Sequence, residues 1–441
     1  MSEPTVPPTD RQDAFGLAAA LFVALSLFYW ISLSPFVDLT GDSVFDPSAG
    51  ASNRLNQIVT LGLFAGILLH GYRHDLRAIM LAPRALLLPL FAWLLYTSAA
   101  SVHPELGVKG IILALMVAIN ASVFLLLPAS ERQFARLTGA CVLVMLAVAY
   151  YGVIFLPTLS IHQASELREP MNAGFWRGHF PHKNSAAAAM VLAAFVGLYA
   201  WSAWSRLAGA AILVLSVVFL AHTGGKTATA MLPATVLVAL AFERLPVLRL
   251  PIVVGGVALF NLLTVGAAVI KPLSDLIASF GIDATFTNRA DIWRFAFTAL
   301  ARHPITGYGF HAFWQTPELV YSGGSVETWA VDAENGHNSY LDIALAAGLP
   351  GLLLTVLWLI ILPLRRYAAL RPENRHTPLT RLYTQIWLYA MFNAGLESLF
   401  YEGGSVLWFA FIFSIYGLRL QSGAVLVAPA AATANGGGVR G

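Results

Sequence analysis

The sequence predicts an all-α polytopic membrane protein with about twelve transmembrane helices and a long helical loop between spans nine and ten. Three observations carry this expectation. Of 441 residues, 58% are hydrophobic and 11% charged, far less charge than a soluble surface of this size carries. Apolar runs of about 20 residues recur, the length a helix needs to cross lipid while satisfying its own backbone. Basic residues also segregate between alternate connections, as the positive-inside rule requires.

The runs lie near 14–33, 54–71, 84–101, 107–127, 134–157, 184–203, 206–222, 227–243, 248–270, 339–364, 381–398 and 404–420. An even number puts both termini on one side. With the termini inside, internal segments hold 16 of the 26 Lys and Arg but 7 of the 23 acidic residues. Arg365, Arg366, Arg371, Arg375 and Arg381 share one short loop. Both termini are therefore expected in the cytoplasm.

Residues 1–13 are polar and Pro-rich, unlike a signal peptide, so the first run is expected to stay as an anchor. Residues 421–441, ending in ANGGGVRG, read as a disordered cytoplasmic tail. The bundle occupies 14–420. The net charge of +3 gives no reason to expect nucleic acid. The lone Cys141 permits no internal disulfide and reads as a packing residue.

Two external segments are long, 158–183 and 271–338, and loops of that length usually carry function. In the second, Asn288 can cap a helix with Asp291 in its first turn. Ile292, Trp293, Ala296, Phe297, Ala299 and Leu300 form its apolar face, with Arg294, Thr298 and Arg302 opposite. Arg289 stands one turn before Trp293. The helix ends at His303-Pro304, and ITGYGFHAFW follows with glycines suited to turns.

The tenth span opens with HNSYLD. Asn338 or Ser339 caps it, which sets His337 at the positive end of a helix dipole, where an imidazolium is disfavoured. A neutral imidazole is what a general base requires. Two other readings stand beside this one: a loop histidine that caps the helix or binds water, and a metal site from Asp332, Glu334 and His337. Asp342, about one turn on, either orients the imidazole or favours the helix N-terminus. Glu397 and Glu402, at the outer ends of spans eleven and twelve, either bind hydroxyls of an acceptor or are simply solvated, and the solvated reading is preferred.

HNSYLDIALAAGLPG at 337–351, preceded by NRADIW and HPITGYGF, resembles the O-antigen ligase/polymerase superfamily of bacterial inner membranes, over roughly residues 180–415. The matching positions are His337 with Asn338, Gly348 and Gly351, Arg289 with Trp293, and Pro304, Gly307 and Gly309. The resemblance implies a GT-C-like membrane glycosyltransferase of Gram-negative bacteria with a periplasmic active site. Its donor would be a glycan on undecaprenyl pyrophosphate, and its acceptor a sugar hydroxyl of lipid A–core. It implies His337 as the base and Arg289 as the first pyrophosphate ligand, in a metal-independent, cofactor-free, inverting transfer.

Lys226, in the turn Thr223-Gly-Gly-Lys-Thr227, matches a position where many relatives carry Arg; here a point charge replaces a bidentate fork. Leu220 stands where a nucleotide-binding loop would need glycine. In the first long loop, Arg168, Arg177, His179, His182 and Lys183 form a basic cluster for an anion or for lipid headgroups. Arg177 and Lys183 are further candidates for phosphate, and Asn184 matches an Asn of the family. Within the superfamily the alternatives are a polymerase, with a lipid-linked glycan as acceptor, and a protein O-oligosaccharyltransferase. From another class, a lipid-linked glycan transporter would place charges or broken helices near the bilayer midplane.

Overall fold

The computed structural model describes residues 16–40, 54–76, 80–166, 169–281, 289–316 and 333–423, with single residues 286, 319 and 330. The N-terminal tail, most of the expected C-terminal tail, Arg168, Asn288 and Asp332 lie outside the described residues.

The described residues fold as helices, and their one isolated β-bridge pairs Ile161 with Trp176. In chain order the helices are α1 (Leu17–Ile31), α2 (Arg54–Arg73), α3 (Arg84–Ala99), α4 (Pro104–Phe124) and α5 (Glu131–Phe155). Next come α6 (Lys183–Ala203), α7 (Arg206–His222), α8 (Lys226–Arg244) and α9 (Pro246–Val269). Then follow α10 (Lys271–Ser279), α11 (Arg289–Arg302), α12 (Ser339–Ala368), α13 (Pro378–Asn393) and α14 (Val406–Gln421). Every apolar run of the sequence falls on one of these helices. Seven of them, α2, α4, α5, α6, α8, α9 and α12, are long and apolar enough to cross a membrane; α1, α3, α7 and α14 are shorter apolar helices. The amphipathic α10 is a helix that the sequence reading did not foresee.

Side chains fix many helix starts. Ser130, Ser205, Thr377 and Ser405 each accept a hydrogen bond from a backbone N–H three residues on, which satisfies an orphan donor of the first turn. Helix α6 is central and mostly buried, whereas the peripheral α2 is mostly exposed. Its alanine-rich surface lets α7 approach closely. A Cβ on Gly209 would lie 2.3 Å from the Trp201 backbone nitrogen, so the pair depends on the small residue there. Helices α13 and α14 pack together and bury Trp387 and Trp408. Cys141 is buried in the bundle.

Helix α12 is broken at Gly348, which has φ 66° and ψ −176°. The freed backbone groups find partners in the Pro304–Gly309 turn. Tyr308 N donates to Leu345 O at 2.8 Å, Gly309 N to Ala346 O at 2.9 Å, and Leu349 N to Pro304 O at 2.8 Å. Trp93 Nε1 donates to Ala347 O at 2.8 Å. Irregular backbone inside a membrane bundle is tolerated when its polar groups are satisfied this way. Both glycines are required sterically, since a Cβ on Gly307 would lie 2.3 Å from Leu345 O and one on Gly348 1.9 Å from Ile305 O. The two sequence motifs, HPITGYG and LAAGLPG, are thus halves of one joint.

Candidate active site

That joint holds α11 and the start of α12 against the segment between α13 and α14. The apolar face read from the sequence is the packed one: Ala290, Ile292, Trp293, Ala296 and Ala299 of α11 are buried. Trp293 Nε1 donates to Gly336 O at 2.8 Å, which ties α11 to the residue before His337.

Asn338 caps α12, accepting from Leu341 N at 3.0 Å. Its amide donates to Asn261 Oδ1 at 2.8 Å and to Gly395 O at 2.9 Å. Ser339 N donates to Ala394 O at 2.8 Å, and Ser339 Oγ donates to Glu397 O at 2.7 Å. These bonds fix the 338–339 backbone on the 394–397 backbone. Asn338 is therefore committed to structure on both edges of its amide.

His337 has φ 45°, a left-handed conformation that a non-glycine residue adopts only when its surroundings impose it. Its N–H donates to Asn335 Oδ1 at 3.0 Å. Its ring Nδ1 lies 3.5 Å from Glu397 Oε2, and no acceptor meets that nitrogen in hydrogen-bond geometry. Glu397 Oε1 accepts from Arg289 Nη2 at 3.0 Å and from Asn184 Nδ2 at 3.3 Å. Arg289 Nη1 also donates to Leu396 O. The expectation that Glu397 is solvated is corrected: its carboxylate joins His337, Arg289 and Asn184, residues from three separate parts of the chain. Burial pushes this carboxyl up, but His337 and Arg289 outweigh it and hold the group at about 2.

Asp342 does not bond the imidazole. Its Oδ1 accepts from Trp314 Nε1 at 2.9 Å and from Gly336 N at 2.9 Å, and Ser398 Oγ bonds its Oδ2. It shapes the backbone that carries His337 and leaves the ring to Glu397. Ser398 Oγ also reaches Asn335 Oδ1 at 2.9 Å.

Glu397, Asp342, Ser398, Asn335 and Asn184 line a cavity of 720 Å³, whose other walls include Trp30, Phe313, Trp314 and Glu402. Glu402 is partly buried at the cavity wall. Burial and the charge of Asp342 push its carboxyl up to about 7. The His337 side chain is 32% exposed and that of Arg289 18%, so both remain accessible beside the cavity.

The described members of the basic cluster expected in the first long loop do not form one surface. Arg177 is fully buried, with its guanidinium donating to Val37 O at 2.6 Å and Phe180 O at 3.3 Å. It orders its own loop and is not among the residues around His337. Burial drives His179 down to about 4, and its Nε2 lies 2.9 Å from Trp30 O. His182 caps α6 and lies 2.8 Å from Glu169. Lys183 Nζ sits 4.3 Å above the Phe175 ring. Lys226 is exposed at the start of α8, and the positive charges of Lys183 and Lys226 act on each other. Because Asn184 follows Lys183, this lysine pair begins one residue from the Glu397 group. Among the described residues no group of three or more His, Cys, Asp or Glu is placed to hold a metal.

Residues 209–356 match a family model described as O-antigen ligase. The match takes in Lys226, Arg289, His337 and Gly348. A curated relative, the exopolysaccharide production protein ExoQ of Rhizobium meliloti (strain 1021), is 28% identical over 210 residues. That alignment covers 46% of this chain and 41% of the relative, so the two are matched over less than half of either length.

Proposed function

We propose, from the match of residues 209–356 to the O-antigen ligase family model and the resemblance to an exopolysaccharide production protein, that the chain transfers a glycan from undecaprenyl pyrophosphate to a sugar hydroxyl of lipid A–core at the periplasmic face of a Gram-negative inner membrane. One observation carries the reading: Glu397 gathers His337, Arg289 and Asn184 beside a large cavity. Aromatic walls and carboxyl or amide groups suit a polyhydroxylated substrate, giving ring faces to stack on and acceptors for its hydroxyls.

His337 takes the proton of the acceptor hydroxyl, with Glu397 balancing the imidazolium that forms. The acceptor oxygen attacks the anomeric carbon as the carbon–oxygen bond to pyrophosphate breaks on the opposite face, so configuration inverts. Charge growing on the departing pyrophosphate is met by Arg289, whose guanidinium keeps further donors beyond those used on Glu397 and Leu396. Lys226 and Lys183 add positive charge nearby. Arg177 serves the loop that presents Lys183 and Asn184. The lipid pyrophosphate supplies its own leaving group, so the transfer needs no nucleotide sugar.

A second reading within the superfamily takes a lipid-linked glycan as acceptor, making the protein a polymerase. The relative's name, which ties that protein to exopolysaccharide production, favours it over protein glycosylation. Reconstitution of the purified chain with lipid-linked donor and each acceptor in turn tests the proposal. Extension of lipid A–core is the expected product. Product with the lipid-linked acceptor alone replaces ligase by polymerase, and absence of product with either acceptor overturns the enzymatic reading.

A further inference from the structure

The end of α12 opposite His337 carries a second unassigned feature. There Arg366 lies in the last turns of α12, and the neighbouring α14 carries Arg419 in its last turn. Nε of Arg366 and both Nε and Nη1 of Arg419 are buried without a hydrogen-bond acceptor. The charge of Arg366 acts on Arg419 with repulsive sign, and the other titratable group acting on it is the phenol of Tyr416. Arg371 approaches the same helix end, its Nη2 lying 3.0 Å from the position a Cβ would take on Gly423.

The fold satisfies three other arginines of this face. Arg381 grips Glu243 with two bonds of 2.9 and 2.8 Å. Arg249 donates to Phe242 O and Glu243 O and stacks over Tyr367. Arg375 donates to Leu370 O at 3.3 Å. At these two packed helix ends, by contrast, Arg366 and Arg419 both keep buried donors without an acceptor. Buried charged donors cost free energy unless they are matched. The partner that matches two forks at once is a tetrahedral oxyanion, whose several oxygens accept charge-assisted bonds from both. The pair sits where membrane-spanning helices end beside the arginine-rich loop, the level at which lipid phosphates lie.

We propose that Arg366 and Arg419 form a binding site for a phosphate group, carried by an anionic lipid headgroup or present as inorganic phosphate. The site lies at the far end of α12 from His337 and does not depend on the reading of that group. The test uses the full chain in neutral detergent, with binding followed by native mass spectrometry and thermal midpoint. One arm titrates phosphatidylglycerol against diacylglycerol, which lacks the phosphate. The other titrates inorganic phosphate against chloride at matched ionic strength.

Saturable binding in at least one arm is expected, and the arm that saturates identifies the source. Arg366→Gln and Arg419→Gln should each weaken it about tenfold or more, and Arg365→Gln, an exposed neighbour, should leave it near wild type. Arg419→Lys keeps the charge and is expected to retain part of the binding, which separates loss of the site from loss of the fold. Equal binding of diacylglycerol, an equal loss in Arg365→Gln, or no saturable binding in either arm overturns the proposal.

Discussion

The Nδ1 atom of His337 stands 3.5 Å from Oε2 of Glu397, and the other oxygen of that carboxylate is held by Arg289 at 3.0 Å. One carboxylate thus sets the imidazole and the guanidinium in a fixed relation, though they lie 48 positions apart in the chain. The arrangement makes Glu397 a positioning residue for both.

Glu397→Gln keeps the shape and loses the charge. The transfer rate should fall about tenfold or more, because the imidazolium formed on proton transfer loses its counter-charge. Glu397→Asp should recover part of the rate. Initial rates in detergent, on protein shown to be folded, check this; a wild-type rate for the glutamine variant contradicts it.

Glu397 also predicts an acid limb in stability. His337 and Arg289 hold its carboxyl at about 2, below its ordinary 4.5. The folded state therefore binds this proton less readily than the unfolded chain. The stabilisation is present above about 4.5 and is lost as pH falls from there toward 2. Thermal midpoints between pH 2 and 6 should decline less steeply in Glu397→Gln than in the wild type. Parallel curves would remove the ion pair from the account.

Glu402 carries the opposite sign. Burial and Asp342 raise it from 4.5 to about 7, so the folded state binds this proton more readily than the unfolded chain. Its ionisation costs stability as pH rises from about 4.5 to about 7, and the cost is constant above that. Glu402→Gln should raise the thermal midpoint most above pH 7 and least near pH 4. A variant less stable than wild type at pH 8 contradicts the assignment.

Gly348→Ala tests the joint that positions the site. A Cβ there would lie 1.9 Å from Ile305 O, in a left-handed backbone. The variant should lose about 2 kcal/mol or more of stability and lose transfer with it, measured by denaturation and rate. Near wild-type values for both would show that the Pro304–Gly309 turn does not bear on α12 as described.

Arg289→Lys keeps a charge and removes the fork. Donor KM should rise while acceptor KM is little changed. Unchanged donor kinetics in Arg289→Ala would remove the residue from the pyrophosphate site.

The fold was legible because its signal is local. Each apolar run contains its own hydrogen-bonding solution, so the helices follow from length and hydropathy. The face of α11 followed from its period, and the cap of α12 from Asn338. What the sequence hid is tertiary pairing. Glu397, at the end of an apolar run, has the local look of a solvated acid; its partners Asn184, Arg289 and His337 come from distant segments. Arg177 has the local look of a surface cation in a polar loop, and only Val37 and Phe180, carbonyls of the folded chain, turn it inward. Asp342 lies one helical turn from His337, but a helix N-terminus points successive side chains apart, and Trp314 and Ser398 claim its carboxylate. The break at Gly348 was visible only as a small residue until the turn that fills it was placed.

The proposed role of the His337 imidazole is to receive the acceptor proton. It is tested most directly by the single-turnover rate of His337→Ala with bound lipid-linked donor and lipid A–core. A folded protein that binds donor like the wild type and transfers about 10²–10⁴-fold more slowly is expected. Transfer at the wild-type rate by that variant would contradict it.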